Sequence, residues 1–134
     1  MKNIVIDGTK FSDLEGFYTE IDKLLTKDLD WKTGHNMDAF NDLLRGGFGV
    51  HEYGESLHIK WINFAKSRQD LGYYATKNYY QDILKKCHPS NRKNVEKKLQ
   101  EVEEDKGKTI LDIIIDIILD TDDSGHWCEL EIEE

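Results

Sequence analysis

Gly34-His35-Asn36-Met37-Asp38-Ala39-Phe40-Asn41-Asp42-Leu43-Leu44, followed by Gly46-Gly47, is the stretch on which the reading of this chain turns. Asn36 is placed to cap a helix, because its side chain can accept a first-turn backbone N–H that has no partner inside the helix. Met37, Phe40 and Leu44 follow at spacings of three and four, so one stripe of the helix is apolar. The glycine pair ends it. On the polar side stand Asp38 and Asp42, four apart, where like charges weaken an isolated helix by about 0.2–0.5 kcal/mol. Asp38 also complements the helix dipole and Asp42 has a plain solvated reading, so two acids on a helix do not by themselves make a site.

Outward from this helix the chain alternates between strand and helix patterns. Upstream, Asn3 to Ile6 is β-rich and ends at Asp7-Gly8. Ser12-Asp13-Leu14-Glu15 has the spacing of a capping box, and Leu14, Phe17, Ile21, Leu24 and Leu25 give the stripe of a helix over about 13–26. Downstream, Leu57, Ile59 and Trp61 alternate with His58, Lys60 and Ile62, as in a strand with one buried face. A short helix over about 64–71 follows. Tyr73 to Leu84 is tyrosine-rich and stops before Pro89, the only proline, and an exposed helix is expected over about 91–104. Thr109 to Asp120 reads as a helix with a wet edge at Asp112, Asp116 and Asp120. Cys128, Leu130 and Ile132 alternate with glutamates in a last strand.

Strands separated by helical connections imply right-handed crossovers and a parallel sheet. The expected fold is therefore α/β: one domain over 1–134, with a small three-stranded parallel sheet packed with helices. A helical insertion over about 73–108 precedes the last helix and strand.

The chain has 134 residues, with 27 Asp and Glu against 18 Lys and Arg, for a formal charge of -9. That field repels a phosphate backbone and attracts cationic partners, so direct nucleic-acid binding is not expected. No apolar run has the length of a membrane span or a secretory core, which points to a cytoplasmic protein in which Cys87 and Cys128 stay reduced. No cofactor or metal is expected. His35 with Asp38, or Cys87-His88 with His126 and Cys128, lack zinc spacing. Gly46-Gly47-Phe48-Gly49 follows a helix and lacks the lysine of a phosphate-binding loop. No nucleophile, base and orienter can be assembled, so an enzyme is not expected.

The stretch from Gly34 to Leu44, with Gly46, resembles the barstar family, in which Gly-x-Asn-Leu-Asp-Ala-Leu leads to a second acidic position on the same helix. Trp61, Phe64 and Ser67 also match its Trp-x-x-Phe-x-x-Ser stretch, and the terminal helix, turn and strand fit its C-terminal end. The resemblance implies an inhibitor that plugs the active site of a basic ribonuclease, with Asp38 and Asp42 as principal contacts and Gly34, Asn36 and Gly46 shaping the surface. Where the best-known member carries tyrosines before the loop glycine and a tryptophan before the second aspartate, this chain has Lys32, Thr33 and Asn41. Since aromatic residues commonly anchor interfaces, Trp31 or Phe48 is expected to take over that task, or the partner differs. A further acidic contact falls on the last helix, with Asp112 as its candidate. The runner-up reading is an immunity or binding module of the same fold for another basic protein.

Overall fold

The computed structural model describes residues 2–26, 36–45, 56–104, 106–120 and 128–134. Their order is β1 (Lys2–Asp7), α1 (Leu14–Leu25), α2 (Met37–Arg45), β2 (Leu57–Ile62), α3 (Phe64–Asp70), α4 (Tyr73–Lys86), α5 (Arg92–Glu103), α6 (Ile110–Leu119) and β3 (Cys128–Ile132). Short 3-10 turns lie at Gly8–Lys10 and Pro89–Asn91. The three strands form one parallel sheet in the order β1-β2-β3. The expected α/β architecture, with three parallel strands and accompanying helices, is thus observed.

The central strand shows why the alternating pattern was decisive. Leu57, Ile59 and Trp61 are buried, whereas His58, Lys60 and Ile62 are only half-buried. In register beside them, Ile4 and Ile6 of β1 are buried and Asn3 and Val5 exposed. On the opposite face from the core, His58 Nδ1 lies 3.3 Å from the Glu129 carboxylate, and Lys60 lies 3.3 Å from that of Glu133.

An aromatic relay links sheet and helices. The Phe17 ring of α1 stacks on Trp61 of β2, centroids 5.6 Å apart and 11° from parallel. Phe40 of α2 meets the same Phe17 ring edge-on at 5.4 Å, and Phe64 meets Trp61 at 5.3 Å. Such contacts add about 0.5–1.5 kcal/mol each beyond area burial. The Trp61 indole N–H, buried with them, donates to Ser67 Oγ at 3.0 Å. Gly8 leaves the space that this joint requires: a Cβ there would meet the Asn63 carbonyl oxygen at 2.4 Å and Ser67 Oγ at 2.7 Å.

The start of α1 differs from the sequence expectation. Asp13, rather than Ser12, caps α1, its carboxylate accepting the Gly16 N–H at 2.7 Å. The Ser12 hydroxyl instead accepts from Lys66 Nζ at 3.3 Å. The full capping box stands at α6, between Thr109 and Asp112. The Ile110 N–H there donates to Thr76 Oγ1 of α4 at 2.8 Å and the Leu111 N–H to the Leu71 carbonyl, which ties the last helix to the α3–α4 junction. Helices α4 and α5 pack against each other as a hairpin, and α6 lies against α2 and β3.

Candidate functional site

The acidic helix α2 is seated by its apolar stripe. Phe40, Leu43 and Leu44 are buried and Met37 packs beside them. Its start is fixed as the sequence suggested: Asn36 Oδ1 accepts the Ala39 N–H at 2.7 Å, and the Asn36 carbonyl accepts the Phe40 N–H at 3.1 Å. With that stripe facing the core, Asp38 and Asp42 are both exposed, one turn apart, and Asn41 between them is half-buried. Asp38 lies in the first turn, where the backbone N–H groups favour a carboxylate. A rigid helix therefore holds two carboxylates toward the solvent at a spacing fixed by one helical turn.

Four of the expected contact residues, Asn36, Asp38, Asn41 and Asp42, are brought together on this one helix. Trp31, Gly34, Gly46 and Phe48 lie outside the described residues, as does His35. Asp112 stands at the start of α6, where its carboxylate accepts the Thr109 N–H at 3.0 Å, so it has a capping task of its own. Further along that helix, Asp116 pairs with Lys108.

Among the tyrosines of 73–80, which could form a contact patch but read as structural from the sequence, Tyr79 of α4 stands out. It is half-buried against the core, and desolvation together with the nearby Asp38 carboxylate pushes its phenol above the usual range. Helix α4 thus places Tyr79 within electrostatic range of Asp38. The only signal in the sequence was the density of tyrosines over 73–80, which equally fits an ordinary amphipathic helix.

The cysteines carry no chemistry that the site requires. Both are free thiols, and burial alone pushes that of Cys128 up to about 12, far from the thiolate a nucleophile or metal ligand needs. Among the described residues there is no group of His, Cys, Asp and Glu arranged to hold a metal ion. Among them, too, no helix is long and apolar enough to cross a membrane.

The described residues thus form an α/β domain with two exposed carboxylates one turn apart on a capped helix. The family model of Barstar, the barnase inhibitor, matches residues 1–108, and the chain belongs to this family. The match takes in the acidic helix and the α4–α5 hairpin. Neither curated proteins nor solved structures gave a match.

Proposed function

We propose that this protein binds a basic ribonuclease and blocks its active site through α2 and the loop preceding it. The observation that carries this reading is the exposed pair Asp38 and Asp42 on a helix whose seating and cap leave them one turn apart. A ribonuclease must present cationic groups to RNA phosphates, and carboxylates on a rigid helix occupy the positions of those phosphates without being cleaved. The net charge of -9 favours the encounter at long range, so association is fast and sensitive to salt. Inhibition in this scheme needs mimicry and no catalytic group.

Asn41, which stands where an aromatic anchor occurs elsewhere in the family, favours a ribonuclease whose contact surface differs from the best-known target, or another basic protein in its place. The test is an inhibition assay against a barnase-type ribonuclease and against a basic toxin ribonuclease, with wild type and Asp42→Ala. Inhibition by the wild type that is lost in the variant, with an unchanged circular dichroism spectrum, supports the reading. Binding to a basic protein devoid of nuclease activity, with neither ribonuclease inhibited, favours the second.

A further inference from the structure

Beside the acidic helix, α1, the start of α2 and α4 enclose an open groove of about 730 Å³, within the size range of binding clefts. Leu14, Tyr18, Met37 and Tyr79 form its apolar wall. Around it stand the carboxylates of Asp13, Glu15 and Asp82, opposed among the described lining residues by a single ammonium, that of Lys86. The groove is continuous with the face of α2: Met37 lines it, and the next residue, Asp38, lies close enough to Tyr79 to bias its phenol.

We infer that this groove receives a cationic side chain, arginine or lysine, carried by the same protein partner that α2 engages, and that α4 is therefore part of the interface. This deepens the proposed function and rests on it for the partner's identity. Two features favour a cation over an apolar segment. The exposed charges around the mouth are mostly negative, and the walls offer the half-buried Tyr79 ring rather than aliphatic side chains alone. Arginine fits both, since its stem packs along apolar surface while the guanidinium lies over a ring or meets a carboxylate.

The placement also accounts for Asn41. An interface of this kind relies on a few aromatic anchors near its centre. With none at position 41, the half-buried Tyr79 supplies aromatic surface from the neighbouring helix, beside the start of α2. Tyr79 of α4 thus takes the place of an aromatic residue on α2.

The test titrates the isotope-labelled full-length chain with acetyl-Gly-Arg-Gly-amide, following backbone amide NMR shifts, with acetyl-Gly-Glu-Gly-amide as the control peptide. The expected result is shifts concentrated at Tyr18, Met37, Asn78 and Asp82 for the arginine peptide alone, weakened at least about fivefold in Asp82→Lys and unchanged in Glu103→Lys, an exposed α5 variant outside the groove. Asp82 is itself exposed, so its variant is expected to fold. Shifts spread evenly over the acidic surface, or centred on Glu129 and Glu131, or retained in Asp82→Lys, overturn the inference. Ribonuclease inhibition measured on the same variants separates the two claims. Loss in Asp82→Lys as well as in Asp38→Ala/Asp42→Ala places the groove in the interface. Loss in the double variant alone removes α4 from the interface and leaves α2 as the site. If wild type inhibits no ribonuclease, the ribonuclease reading falls while the peptide shifts still decide the groove.

Discussion

Replacing Phe40 by alanine tests the link between core and site, because this one ring seats the acidic helix. Phe40 is 1% exposed and meets Phe17 edge-on at 5.4 Å, and Phe17 in turn stacks on Trp61 of the central strand. Removing a buried phenylalanine ring costs about 3–5 kcal/mol, the sum of lost transfer energy and the cavity left behind. For a domain with about 10 kcal/mol in hand, the variant still folds, with its melting temperature lowered by about 11–18 °C. The loss is expected to concentrate locally. Hydrogen exchange in α2 rises more than in β2, and ribonuclease inhibition weakens although neither aspartate was touched. Phe40→Leu retains most of the volume and is expected to cost less than about 1.5 kcal/mol. Urea unfolding followed by near-ultraviolet circular dichroism measures both. A loss under about 1 kcal/mol in Phe40→Ala refutes the claim that the aromatic relay holds the helix in place.

Three further outcomes follow from single contacts. Asp13→Ala should cost about 1 kcal/mol through loss of the α1 cap, and Ser12→Ala less than about 0.5 kcal/mol; the reverse order in thermal melts would reinstate Ser12 as the cap. Thr76→Val strands the buried Ile110 N–H and should cost about 1–3 kcal/mol, whereas Thr76→Ser retains the acceptor and most of the stability; equal stability of Thr76→Val and wild type in urea would refute the tie between α4 and α6. The Asp7 carboxyl is held below its ordinary 3.8 chiefly by the Thr9 backbone N–H and then by the Asn63 side chain. A carboxylate with a depressed folded pKa contributes stability that is fully present above its unfolded value and lost as pH falls through the folded one. Asp7→Asn should therefore flatten the acid limb of the stability curve below about pH 4, and an unchanged slope there would remove Asp7 from the account.

How much of this was legible in the chain depended on whether a feature was local. The alternation over 57–62 gave β2 and its buried face, because a period of two admits only one assignment of faces. Asn36 gave the start of α2, since a capping residue satisfies donors within its own first turn. At α1 two cap-forming residues stand side by side, and spacing could not separate them. Lys66, from a distant part of the chain, draws on Ser12 and leaves Asp13 to the helix. That Tyr79 and Met37 line one groove was illegible for a related reason: the groove joins α4 to α2 across the fold, and nothing in either segment names the other. The acid pair itself was visible as residues, but its exposure depended on which stripe of α2 met Phe17 and the core.

The inhibition constant of Asp42→Ala decides whether Asp38 and Asp42 make the proposed ribonuclease contact. Charge pairs buried across interfaces, with barnase–barstar itself a source of that figure, lose about 2–5 kcal/mol when one partner is truncated. For a ribonuclease that the wild type inhibits, Asp42→Ala is expected to raise the inhibition constant by a factor of at least about 30, with thermal stability unchanged within about 0.5 kcal/mol. An inhibition constant equal to that of the wild type would contradict the account.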